Sequence, residues 1–94
     1  MIIGLDVGAG LTKGVLLKDS SIIKSFFTST DEPTRSAVKT IRSLLEDTRY
    51  KDSVDAIAIS GGGSRKIGEK LLGISVIRVD EIQAIGVGGL TLAG

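Results

Sequence analysis

The sequence predicts a single α/β domain built on a five-stranded mixed sheet, with its elements in the order β-β-β-α-β-α-β-α over residues 1–94. Three observations lead there. Short apolar runs rich in β-branched residues are separated by Gly, Asp and Ser, as strands and their turns are. Residues 33–49 repeat their apolar positions at helical spacing. After that stretch, strand-like and helix-like runs alternate, which calls for right-handed crossovers and strands parallel to the first. A chain of 94 residues accommodates one domain.

The chain is organised around residues 1–17. Ile2, Ile3 and Leu5 form a first strand that ends in Asp6; Gly8 and Gly10 make a turn, and residues 13–18 return as a second strand. Asp19, Ser20 and Ser21 turn the chain into a third strand at 22–28, completing an antiparallel meander. Residues 29–33, Ser-Thr-Asp-Glu-Pro, carry capping side chains, first-turn acids and a proline suited to the first helical position. In the helix that follows, Ala37, Val38, Ile41, Leu44 and Leu45 share one face and Arg35, Lys39, Arg42 and Glu46 occupy the others.

Residues 50–54 are a polar connector, and 56–59 form a fourth strand, apolar throughout as a strand covered on both faces is. It ends in Ser60-Gly61-Gly62-Gly63-Ser64, after which Ile67, Leu71 and Leu72 fall in helical register as a second, short helix closed by Gly73. Residues 74–78 make the fifth strand. Asp80 caps a third helix beginning at Glu81, in which Ile82, Ala84, Ile85, Val87, Leu90, Leu92 and Ala93 leave almost no polar face. Such a helix needs a covering surface, so self-association or a partner lobe over residues 82–93 is expected.

Composition excludes several chemistries. Twelve basic and eleven acidic residues nearly cancel and no basic run interleaves with aromatics, so nothing points to nucleic acid. Without cysteine or histidine there is no disulfide framework, no thiolate or zinc site and no imidazole base, which leaves carboxylates and lysines for proton transfer. No segment is long enough to span a bilayer, and the start has neither a basic flank nor a small-residue cleavage site. A cytoplasmic location is expected, with no membrane partner.

Two glycine turns are the candidate ligand sites. Gly8 and Gly10 expose backbone N–H groups to which an anion can bind, Lys13 adds a positive charge, and Asp6 is placed to hold a hydrated magnesium ion bridging phosphate oxygens. An ordinary hairpin turn accounts for the same residues equally well. Gly61, Gly62 and Gly63 open onto a helix N-terminus and clear side chains from an approaching polar ligand; a flexible connection capped by Ser64 is the alternative. Arg65 and Lys66 either neutralise an anion there or form a solvated face.

The segments Ile3-Gly4-Leu5-Asp6-Val7-Gly8-Ala9-Gly10-Leu11-Thr12-Lys13, Ile59-Ser60-Gly61-Gly62-Gly63-Ser64-Arg65-Lys66 and Val79-Asp80-Glu81-Ile82-Gln83-Ala84-Ile85-Gly86 give the chain a family resemblance. The first resembles the opening phosphate motif of the actin, Hsp70 and sugar-kinase superfamily, and the other two resemble type II pantothenate kinases. The resemblance implies a ribonuclease-H-like, actin-like ATPase half-domain spanning residues 1–94, corresponding to the first part of a family member, with a second lobe lying outside this sequence. It implies ATP and Mg2+ as cofactors, Asp6 as the residue organising magnesium, and Gly8, Gly10 and Lys13 facing the phosphates. Glu81 would be the general base that takes the proton of the pantothenate hydroxyl. The family has a hydroxyl residue where this sequence has Gly10, and Thr12 is the nearest hydroxyl. The implied activity is phosphoryl transfer from MgATP to pantothenate, the first step of coenzyme A synthesis. Alone, the lobe would be inactive.

Two other functions fit the same residues. One is the ATPase lobe of the activators that energise 2-hydroxyacyl-CoA dehydratases, which share the fold and the opening motif; against it, their iron–sulfur cysteine would fall at Ala84, and the sequence has no cysteine. The other is a non-catalytic assembly or binding module.

Overall fold

The computed structural model describes residues 1–19, 21–46, 49–84 and 89–93. Strands β1 (Ile2–Val7), β2 (Leu11–Lys18) and β3 (Ser21–Ser29) form an antiparallel meander, followed by helix α1 (Pro33–Leu45) and by β4 (Ala56–Ser60), parallel to β1. A 3₁₀ turn at Gly62–Lys66 leads to the short β5 (Lys70–Leu71) and then to β6 (Ile74–Arg78), parallel to β4. The main sheet has six strands in the order β3-β2-β1-β4-β6-β5, and β7 (Glu81–Ala84) and β8 (Leu90–Ala93) form a separate antiparallel pair. The fold class is the expected mixed α/β one.

Period-two patterning decides which face is buried. Ile3, Leu5 and Val7 of β1 point to the α1 side and are fully buried, whereas Ile2 and Asp6 are exposed on the other face. Leu16, Ile57 and Ile59 extend that apolar floor, and α1 lays Ala37, Ile41 and Leu44 on it. Burying each of these large aliphatic side chains contributes roughly 1.5–3 kcal/mol, which is how a core with few aromatics suffices. Gly14 lets the helix settle on β2: a Cβ there would stand 2.4 Å from Thr40 Cγ2 and 3.0 Å from Leu44 Cδ1.

The start of α1 follows its capping signals. Glu32 sits outside the helix in extended conformation and its carboxylate accepts from the Arg35 N–H at 2.8 Å, with Pro33 as the first helical residue. Chiefly through that hydrogen bond, and secondarily through one from the Thr34 backbone, the Glu32 carboxyl is held below its usual pKa. The helix stops at Leu45, short of the expected residue 49, because Glu46 adopts an extended backbone.

Two expected helices are replaced. Residues 62–66 form only a 3₁₀ turn, and Leu71, taken for a helical position, pairs with Ile74 in a tight hairpin. Gly62, Gly63 and Gly68 depress helix propensity here. Leu72 and Gly73 supply the two positive-φ residues, at 50° and 78°, that a two-residue hairpin turn needs. The third expected helix is absent from its described parts: Glu81 opens β7, and Leu90–Ala93 pairs with it as β8. The glycines at 86, 88 and 89 work against a helix, while Ile85, Gly86, Val87 and Gly88 lie outside the described residues. The expected association through an all-round apolar helix therefore loses its premise. Ile82 instead packs on the sheet face opposite α1, where a Cβ on Gly4 would lie 3.6 Å from Ile82 Cδ1. Among the described residues no helix is long and apolar enough to cross a membrane.

Candidate functional site at the carboxyl ends of the parallel strands

Strands β1, β4 and β6 run parallel, so their carboxyl ends lie at one edge of the sheet. In open α/β sheets that edge is where ligands bind. Here it gathers the β1–β2 turn, the Gly61–Gly63 loop and, after Val79, the start of β7. Asp6 and Ser60 are register partners across β1 and β4, and the Ser60 hydroxyl donates to Asp6 Oδ1 at 3.4 Å. Lys13 is the register partner of Asp6 on β2. The two oppositely charged side chains share the exposed face and form no ion pair among the described residues. A cleft of about 230 Å³ runs beside them, lined also by Val15, Ile82 and Leu90.

The backbone donors of the two loops differ from the expected set. Gly8 donates its N–H to Leu11 O at 2.9 Å and thereby closes the hairpin, so its amide is committed. The N–H groups of Ala9, Gly10, Gly62 and Gly63 have no partner among the described residues. These four are the donors an anion can use. Thr12 is fully buried and its hydroxyl bonds the Thr30 hydroxyl at 2.8 Å; the structure does not bring it to Asp6 and Lys13.

Gly61 locks the second loop against the first. It adopts φ +94°, ψ +161°, and a Cβ on it would stand 2.4 Å from Val7 O and 2.7 Å from Asp6 Oδ1. The turn is then fixed by its own bonds: Ser64 Oγ donates to Gly61 O at 2.7 Å, and the Arg78 guanidinium donates to the carbonyls of Ser64, at 3.0 Å, and Ile67. Arg78 is a positioning residue that the sequence reading passes over. Its signal was a lone cation ending a strand. Arg65 and Lys66 are exposed on the turn.

Glu81, the expected general base, is exposed at the first position of β7 rather than at a helix N-terminus, and its carboxylate has no hydrogen-bond or ion-pair partner among the described residues. Among the described residues no group of three acidic, histidine or cysteine side chains converges as a metal site. A cavity of about 790 Å³ lies apart from all of this, between α1 and the β5–β6 hairpin, and is lined by none of the candidate residues.

The arrangement is a mixed α/β fold with glycine turns at the carboxyl ends of its parallel strands. Among solved structures the chain is similar to an activator of the 2-hydroxyisocaproyl-CoA dehydratase from Clostridium difficile with bound ADPNP, at a TM-score of 0.65 and 23% sequence identity over 82% of this chain. The chain spans 28% of the length of that protein. The sequence matches no family model and no curated protein.

Proposed function

We propose that the chain is a phosphate-gripping lobe of an actin-like, ATP-dependent enzyme. The observation that carries this reading is the placement of four backbone N–H groups without a partner among the described residues, at Ala9, Gly10, Gly62 and Gly63, in the two loops at the end of the sheet that presents Asp6 and Lys13. Such donors cost nothing to reorganise when negative charge arrives. The likeness to a fold solved with ADPNP supports the same ligand class.

In this reading the open amides hold phosphate oxygens and Lys13 balances their charge. Asp6 fits magnesium because its carboxylate is exposed and, among the described residues, engaged only by Ser60. A single carboxylate with waters and phosphate oxygens is the way Mg2+ is held in nucleotide sites. When bound, the ion would neutralise charge on the phosphoryl oxygens. Ser60 keeps the Asp6 carboxylate oriented, and Gly61 keeps the second loop close to it.

The dehydratase-activator likeness favours nucleotide hydrolysis over transfer to a small acceptor. Its electron-transfer half would need a cysteine that is not in these residues, so the proposal is confined to nucleotide handling. A pantothenate-type kinase is the second reading. It is favoured by the Ile59–Lys66 and Val79–Gly86 sequence segments and by the departure of Glu81 from the same edge of the sheet.

Calorimetric titration with ADPNP tests both readings. Binding should require Mg2+ and weaken at least about tenfold, or 1.4 kcal/mol, in Asp6→Asn, while Glu81→Gln should bind as the unaltered chain does. Equal affinity of Asp6→Asn and the unaltered chain would count against the site. Saturable heat from pantothenate added to the MgADPNP complex is expected only of the kinase.

A further inference from the structure

We propose that the groove between α1 and the β5–β6 hairpin holds an amphipathic helix with an acidic flank, supplied by a partner protein. Val38, Ile41 and Leu45 form its α1 wall and Leu72 and Ile74 its hairpin wall, around a volume of about 790 Å³. Parallel strands are ordinarily joined by a crossover helix that covers the sheet. β4 and β6 are parallel, but the 3₁₀ turn at Gly62–Lys66 and the short β5 stand where that helix would be. Ile74 and Val76, on the α1 side of β6, are consequently only partly buried. The layer beside α1 is short of one helix.

Leu72 points to an apolar contact from outside the chain. It sits at φ +50°, a left-handed conformation that Asn, Asp and Gly adopt far more readily than leucine, and its side chain is 47% exposed. Asp19, the other described non-glycine residue with positive φ, is of a type that tolerates it. Ahead of Gly73 in a two-residue hairpin turn, asparagine is the preferred residue. A leucine that opposes its local preference, and is only half buried by its own chain, is accounted for by a surface that packs on it.

The charges select the partner. Arg35 is paired with Asp31 at 3.1 Å, which leaves Lys39, Arg42 and Lys51 against Glu46 among the lining side chains. Counting Asp47, which lies outside the described residues, as a second acid still leaves a cation in excess. Aspartate or glutamate beside the partner's apolar stripe complements this rim and steers the approach. A second copy of the chain does not fit, because the exposed face of its helix presents Arg35, Lys39 and Arg42 and would meet like charge. Arg35 and Glu46 mark the ends of the groove along α1; eleven residues of helix rise about 16 Å, so three turns of the partner fill it. This inference does not depend on the nucleotide reading, whose residues do not line the groove.

The probe is an acetylated, amidated peptide of about fourteen residues, with leucine at i, i+3, i+4 and i+7 and glutamate on both flanks. Its twin carries lysine in place of every glutamate. Fluorescence anisotropy should show the glutamate peptide binding at least about tenfold more tightly than the twin, and amide NMR should place its shifts at Val38, Arg42, Leu45, Leu72 and Ile74. Leu72→Asn should weaken the glutamate peptide at least about tenfold. The urea midpoint of that variant should stay level or rise, because Asn-Gly suits the turn, so lost binding is not lost folding. Arg42→Glu, at an exposed position, should weaken the glutamate peptide and strengthen its twin. Equal binding of the twins, undiminished binding to Leu72→Asn, shifts confined to other residues, or no saturable binding up to about 1 mM peptide would overturn the proposal. So would laurate, below its micellar concentration, shifting these amides where the peptide does not, since the groove would then belong to a lipid anion.

Discussion

Gly61→Ala should cost the fold about 3 kcal/mol or more, a large share of the 5–15 kcal/mol that stabilises a typical small domain. Two independent terms add. The backbone angles at Gly61, φ +94° and ψ +161°, belong to a region that is in practice glycine's own, and forcing a side-chain-bearing residue into it costs of order 1–3 kcal/mol. The new Cβ would also lie 2.4 Å from Val7 O and 2.7 Å from Asp6 Oδ1. Val7 O is a backbone atom at the end of β1 and cannot swing aside as the end of a long side chain can. The loop would have to lift away from β1, taking the Gly62 and Gly63 amides with it. Urea denaturation measures the loss, and Gly62→Ala is the internal control. No atom lies within 4 Å of a Cβ at Gly62, so that variant should change stability by less than about 1 kcal/mol. Similar losses for the two would mean that the close approach at Gly61 does not hold the loops together.

Leu5→Ala should destabilise the chain by about 3–5 kcal/mol and lower the thermal midpoint by more than about 10 °C. Leu5 is fully buried, and its Cδ2 lies 3.0 Å from where a Gly14 Cβ would stand, beside Thr40 and Leu44. It thus fills the space between β1, β2 and α1. Neighbours already packed against backbone cannot collapse into the vacated volume, which puts the cost toward the upper end for a leucine truncation. Leu11, at 38% exposure, tests whether burial rather than residue type sets the loss: Leu11→Ala should cost under about 1 kcal/mol. Because Leu5 precedes Asp6 on the same strand, loosening it should also weaken any ligand held at the carboxyl end of β1.

The parts of the fold legible in the sequence are those in which local preference and burial agree. β1, β3, β4 and β6 announce themselves by β-branched apolar runs bounded by turn residues, and α1 by its cap and its apolar stripe. The misread parts are those where an apolar spacing admits two answers. Ile67 and Leu71 stand four apart, as on a helix face, yet both reach the core, one from the end of a 3₁₀ turn and the other from a two-residue strand. Periodicity over so few residues cannot separate these cases, and the positive φ of Leu72, unusual for leucine, gives no warning in the sequence. Ile82 and Leu90 belong to paired strands although the segment between them reads as apolar all round.

How the candidate residues lie relative to one another was legible in part. Asp6, Lys13 and both glycine turns do come to one edge, since β1, β2 and β4 are neighbours in the sheet. Which amides remain open is set by the hairpin's closing bond, which uses Gly8 and spares Ala9. Thr12 is removed from the cleft by strand alternation, one residue from Lys13 and so on the opposite face. The Arg78 clamp on the second loop depends on two carbonyls fourteen and eleven residues earlier, a placement that only the folded turn creates.

The most direct test of the phosphate-gripping site is a residue-resolved one: amide NMR of the ¹⁵N-labelled chain titrated with ADPNP, with and without Mg2+. The account predicts Mg2+-dependent shifts concentrated at Ala9, Gly10, Gly62 and Gly63, with Gly8 shifting less because its N–H is already bonded to Leu11 O. Shifts that avoid both glycine loops, or that are unchanged when Mg2+ is withdrawn, would contradict it.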